Sequence, residues 1–145
     1  MNKLLTICLL SLLWSCSNKA IDLSGESTIK PTDFVKAFKP IKGNYTLSDT
    51  DFIKKADTLK IGVKALHQFL PDSTISQMVK NEKKETIYPV GLIEKETEKY
   101  FLLLVKSKKT AKLFVYVTDQ KFNYLGFKEL LSNEDKDAYA RSVSI

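Results

Sequence analysis

Tyr100-Phe101-Leu102-Leu103-Leu104-Val105 is an unbroken apolar run of aromatic and branched residues. Its length and make-up predict a β-strand buried on both faces. The flanks keep that character. Thr86-Ile87-Tyr88-Pro89-Val90-Gly91-Leu92-Ile93 reads as the strand before it, and Pro89, with no amide hydrogen to give a neighbour, places that strand at a sheet edge. The charged stretch 94–99 holds the turn between the two. A second turn at 107–110 leads to Leu113-Phe114-Val115-Tyr116-Val117, a third strand. Residues 121–131 and 139–145 are expected to hold a fourth and a fifth.

Upstream of residue 86 the pattern changes to that of short helices. Thr32 stands as a capping residue before Phe34, Val35 and Phe38, which share one helical face, and Pro40 ends that helix. Residues 41–47 read as extended, and Ser48 with Asp51 approximates a capping box for the segment that follows. Phe52, Ala56, Leu59, Val63, Leu66 and Leu70 recur at spacings of three and four. Against one long helix stand the alternation of Leu59, Ile61 and Val63 and the cost of Gly62 inside a helix, about 1 kcal/mol. Two short helices over 49–56 and 62–69 are predicted instead. Pro71-Asp72 then ends one helix and caps another that carries Ile75, Met78 and Val79. The plan is α+β: short N-terminal helices packed on one face of a C-terminal antiparallel meander of about four to five strands.

The first sixteen residues have a different logic. Met1-Asn2-Lys3 supplies one positive charge, and 4–14 is mostly apolar before Ser15-Cys16-Ser17-Asn18-Lys19. This is the layout of a signal peptide, and it is too short for a membrane span, which needs roughly 20 apolar residues. Leu13-Trp14-Ser15-Cys16 resembles the lipobox of bacterial lipoprotein precursors, with Leu three residues before the cysteine and a small residue next to it. Trp14 departs from the pattern at its most permissive position. The resemblance implies cleavage between Ser15 and Cys16, lipid attachment to the Cys16 thiol, and, with Ser17 rather than Asp next in line, outer-membrane delivery in a cell with two membranes. Two acyl chains hold a protein firmly where one holds it marginally. The competing readings are a plainly secreted protein with Cys16 incidental, and an uncleaved anchor. The expected organisation is therefore a signal peptide over 1–15, a lipidated cysteine and flexible linker over 16–31, and a single α+β domain over 32–145.

Removal of residues 1–15 takes away Lys3 and lowers the formal charge from +6 to +5. Cys8 leaves with the signal and Cys16 is used for lipid, so the folded part has no thiol and no disulfide. The basic residues are lysines apart from Arg141. Lysine supplies a hydrated point charge, whereas bidentate recognition of phosphate and base edges calls for arginine. Nucleic acid is accordingly not an expected partner; a soluble lysine-rich surface with some attraction to anionic headgroups is the favoured reading, and the membrane is a partner through the lipid anchor.

Candidate chemistry is sparse. His67 is the only histidine and has no nucleophile elbow to serve; it reads as a solvent-facing helical residue beside Gln68. Neither Asp49-Thr50-Asp51 nor Asn133-Glu134-Asp135-Lys136-Asp137 has the spacing of a calcium loop, and no glycine-rich phosphate loop is present. No catalytic, cofactor-binding or metal residues are assigned, and no cofactor is expected. Tyr88, Tyr100, Phe101, Phe114 and Tyr116, with Phe122, Tyr124 and Phe127, could form a stacking platform for sugar or peptide, but strands favour aromatics for packing alone. Asn44-Tyr45-Thr46 fits a glycosylation acceptor, a reading with little force in a bacterial-type envelope. The leading expectation is a membrane-anchored cell-envelope lipoprotein with a non-enzymatic binding or assembly-type domain. Its partner would be an envelope protein or polysaccharide, bound in one version at an open sheet edge. The alternative is a small envelope hydrolase with a carboxylate-based site.

Overall fold

The computed structural model describes residues 20–48, 59–133 and 142–144. Four strands, β2 (Thr86–Glu94), β3 (Glu98–Lys106), β4 (Ala111–Asp119) and β5 (Tyr124–Ser132), form an antiparallel meander in the order β2-β3-β4-β5. Among the described residues three short helices precede it: α1 (Pro31–Lys36), α2 (Val63–Leu66) and α3 (Asp72–Met78). The class is α+β. The helix expected over 49–56 lies outside the described residues.

Two helices start earlier than the sequence expectation, the first by two residues and the third by one. α1 begins at Pro31 with extended Lys30 as its cap, and α3 begins at Asp72 with extended Pro71 as its cap; neither cap has a side-chain hydrogen bond. Thr32 and Asp72 therefore lie inside the first turn. At α1 the proline takes the first position, where its missing amide hydrogen would have had no intrahelical partner anyway.

β3 is the buried centre of the sheet, with Phe101 to Val105 all buried. The strand period of two sends Phe101, Leu103 and Val105 to one face, and Leu102 and Leu104 to the other. The first set belongs to the larger core cluster, together with Phe34, Phe38, Leu66, Ile75 and Met78. Phe38 meets Phe101 edge-on at 5.1 Å, and Phe34 lies 6.2 Å from the same ring. The second set belongs to a smaller cluster with Ile93, Leu113 and Leu131, against which Ile41 and Tyr45 pack.

β2 is an edge strand of the sheet, as Pro89 required, and its register shifts between Pro89 and Gly91. Its outer side is bridged twice. Ile41 N–H donates to the Leu92 carbonyl at 2.8 Å, Leu92 N–H donates to the Lys39 carbonyl at 2.9 Å, and Ile61 N–H donates to the Ile87 carbonyl at 2.9 Å. The expected fifth strand of the meander is not part of that sheet. β6 (Ser142–Ser144) pairs instead with β1 (Thr46–Ser48), Leu47 standing opposite Val143 in a separate two-stranded ladder. Partners so far apart in the chain are chosen by tertiary contact, which local periodicity does not encode.

The linker expected over 16–31 also needs correction. Leu23 and Ile29 are core residues, 2% and 7% exposed. The Leu23 carbonyl accepts the Gly62 N–H at 2.8 Å, and Gln68 Oε1 accepts the Ile29 N–H at 2.8 Å. Two glycines allow this close approach: a Cβ on Gly25 would lie 2.2 Å from the Ala65 nitrogen, and one on Gly62 would lie 2.2 Å from the Ser24 carbonyl oxygen. Three apolar residues, Ile21, Leu23 and Ile29, outweigh the polar composition around them, so packing begins well before residue 32.

Candidate functional site

Ser15 and Cys16, Asp49 and Asp51, and Glu134, Asp135 and Asp137 lie outside the described residues. His67 is exposed, with Nδ1 2.7 Å from Asp72 Oδ1. That contact spans the bend between α2 and α3 and holds no nucleophile. Asn133 is engaged in the fold, its Oδ1 accepting the Ala111 N–H at 2.6 Å.

The aromatic residues do not make one platform. Alternation sends Phe101, Phe114 and Tyr116 into the larger cluster, where Phe122, Tyr124 and Phe127 join them, while Tyr88 and Tyr100 pack on the smaller one. Among the described residues the one large apolar side chain left exposed is Leu125, at 54%. It is the extra residue where β5 shifts register against β4 between Val117 and Thr118. The second shift, between Leu113 and Phe114, leaves Leu130 as its extra residue. β5 is thus an edge bent twice by bulges, and bulges oppose the addition of another strand.

Three exposed carboxyls are held below the usual Asp range. Hydrogen bonds from the Asn123 side chain and backbone lower Asp119, the Ser24 backbone N–H lowers Asp22, and the Lys36 ammonium lowers Asp33. A general acid needs the opposite shift. Each of the three is explained by a turn or a helix end.

What the topology does bring together is charge. Thr86 stands opposite Lys106, so the loop before β2 and the turn after β3 share one end of the sheet. The loop carries Lys80, Lys83 and Lys84, and the turn with its flanks carries Lys106, Lys108, Lys109 and Lys112. Lys83, Lys84, Lys108 and Lys109 are exposed, and no carboxylate among the described residues pairs with their ammonium groups. The acids at this end are partly occupied. Glu85 Oε2 accepts the backbone N–H groups of Lys80 and Asn81 at 2.7 and 2.8 Å, and Glu129 lies 3.8 Å from Lys112 Nζ. The opposite end is different. It carries Glu94, Glu96, Glu98 and Asp119 against Lys95, Lys99 and Lys121, and Lys99 is already paired to Glu94. Nine residues of strand put about 30 Å between the two ends.

An open groove of about 480 Å³ lies beside the lysine-rich end. Its walls are Ile21, Asp22 and Ser24 of the N-terminal segment, Lys60 and Gly62, and Glu82, Glu85 and Thr86. The N-terminal segment therefore enters the domain at the lysine-rich end. Sequence reading missed this site because its lysines fall in two groups more than twenty residues apart, and the hairpin register alone joins them.

Comparison of the chain with models of known families, with curated proteins and with solved structures returns no match.

Proposed function

We propose that the chain is the precursor of a bacterial-type lipoprotein, cleaved before Cys16 and held to a cell-envelope membrane by lipid on that thiol. The Leu13-Trp14-Ser15-Cys16 motif at the close of a short apolar run carries the reading. In a cell with two membranes, Ser17 directs the product to the outer one. The mature domain is a non-enzymatic binding or assembly module, with its short N-terminal helices forming a layer over one face of the meander. Support for that layer comes from the Phe34 and Phe38 contacts to Phe101. Support for a binding role comes from the concentration of lysine at one end of the sheet, where a charged partner surface would meet it. The partner class is an envelope protein or polysaccharide.

The test is metabolic labelling of the full chain with a fatty-acid probe in a bacterial host. Wild type should label, and Cys16→Ala should lose the label and accumulate at precursor mass. A Cys16→Ala product that still labels would overturn the reading.

A further inference from the structure

We infer that the lysine-rich end of the sheet docks on anionic lipid headgroups, so that the tethered domain stands on the membrane with its β2–β3 turn pointing away. The inference rests on the lipoprotein reading. Its independent support is the place where the N-terminal segment joins the fold. Only residues 17–19 separate Cys16 from Ala20, and the stretch from Cys16 to Ala20 reaches at most about 14 Å when fully extended. Ile21 and Asp22 share the groove walls with Glu82, Glu85 and Thr86. Any surface holding Cys16 is therefore within reach of this end, and the opposite turn lies about 30 Å further off.

The side chains at this end suit a headgroup layer. Lys83, Lys84, Lys108 and Lys109 are exposed and are not consumed by carboxylates of the described residues. Lysine attracts an anionic surface as a mobile point charge and needs no fixed geometry. Screening confines that attraction to about 10 Å at 0.1 M salt, a range the short tether satisfies. Asp22, Glu82 and Glu85 on the groove walls oppose this attraction, and the seven lysines of the loop and of the turn with its flanks outnumber them. A nucleic acid fits less well, since this end has no arginine among the described residues and Leu125, near the start of β5 at the far end of the sheet, is the one exposed large apolar side chain among the described residues.

The experiment uses the lipidated mature protein, purified from membranes and reconstituted into vesicles. One set is phosphatidylcholine alone, and the other contains phosphatidylglycerol as well. Both are treated with a membrane-impermeant amine-acetylating reagent, and labelling is read by peptide mass spectrometry. In the phosphatidylglycerol vesicles Lys83, Lys84, Lys108 and Lys109 should label several-fold more slowly than in phosphatidylcholine. High salt should restore their rates, and Lys95 and Lys121 should be unchanged throughout. Equal labelling of both ends in phosphatidylglycerol vesicles, with the lipid mass found on Cys16, would overturn the orientation and leave the anchor standing. A purified product without lipid on Cys16 would overturn the anchor and the orientation together.

Discussion

The rings of Phe101 and Tyr116 lie stacked across β3 and β4, centroids 4.6 Å apart and planes within 6°. Tyr116 is 1% exposed, and its hydroxyl meets no hydrogen-bond partner among the described residues. The other buried polar side chains are provided for: Thr74 bonds the Tyr124 hydroxyl at 2.9 Å, and Thr118 donates to the Asp119 carbonyl at 2.9 Å. Burial alone pushes the Tyr116 hydroxyl well above its ordinary ionisation range, so it is protonated at any physiological pH. An unmet buried hydroxyl costs about 1–3 kcal/mol. Tyr116→Phe keeps the stacked ring and removes that cost, and should raise unfolding stability by about 1 kcal/mol in urea titration. A loss of that size would mean that the hydroxyl is bonded, through an ordered water for example. Tyr116→Ala would instead empty the site and lose about 3–5 kcal/mol.

The N-terminal segment gives a second test. If residues 20–30 were only a tether, substitutions there would leave stability untouched. Leu23→Ala should instead cost about 2–5 kcal/mol, as large-to-small changes at buried sites do. Gly25→Ala should also destabilise, because Gly25 has φ +84° and its added Cβ would collide with the Ala65 backbone. Thermal unfolding of the two variants checks both, and unchanged midpoints would make residues 20–30 a tether only.

This contrast marks what a single sequence can carry. The β3 run from Tyr100 to Val105 was legible because six consecutive apolar residues leave few alternatives to a strand buried on both faces. Pro89 was legible because a missing amide hydrogen has only one comfortable place in a sheet. Leu23 and Ile29 were not, since two apolar residues six apart, set among Ser, Gly and Glu, show no period until Gly25 and Gly62 let the backbones close in. The pairing of β1 with β6 was hidden for a related reason: each is three residues long, too short to announce a face. The lysine-rich end depends on the Thr86–Lys106 register. The individual charges were visible, but their neighbours were not.

The β4–β5 turn should respond to acid. Asp119 Oδ1 accepts the N–H groups of Lys121 and Asn123 at 2.8 and 2.9 Å, and Oδ2 accepts the Asn123 side-chain amide at 2.7 Å. These bonds favour the charged carboxylate and hold its ionisation below the ordinary aspartate range. The unfolded carboxyl keeps the higher value, so the contribution is fully present above the unfolded value and is lost as pH falls through the folded one. Phe122 makes the turn demanding, because it holds φ +66°, a conformation costly for a residue with a Cβ. Amide exchange at Lys121 and Asn123 should therefore accelerate, relative to the intrinsic rate, as pH drops below 4. Asp119→Ala should show that loss of protection already at neutral pH. Protection unchanged in the variant would place the turn's order elsewhere.

The two bulges of β5 make the last test. Val117 pairs with Gly126 and Thr118 with Tyr124, so Leu125 is the residue that the ladder skips. Its deletion would join those pairs without changing either one, and would leave Tyr124 opposite Thr118 and within reach of Thr74. The expected product is a folded domain with a straighter edge strand, and straight open edges pair with one another. Self-association of the deletion variant should rise relative to wild type in sedimentation or light scattering at matched concentration. Leu125→Asp keeps the bulge and adds charge, so it should remain as dispersed as wild type and change stability by no more than about 0.5 kcal/mol. If the deletion variant stays dispersed, the bulge does not guard the edge; if Leu125→Asp unfolds the domain, the leucine packs in a way its exposure does not suggest.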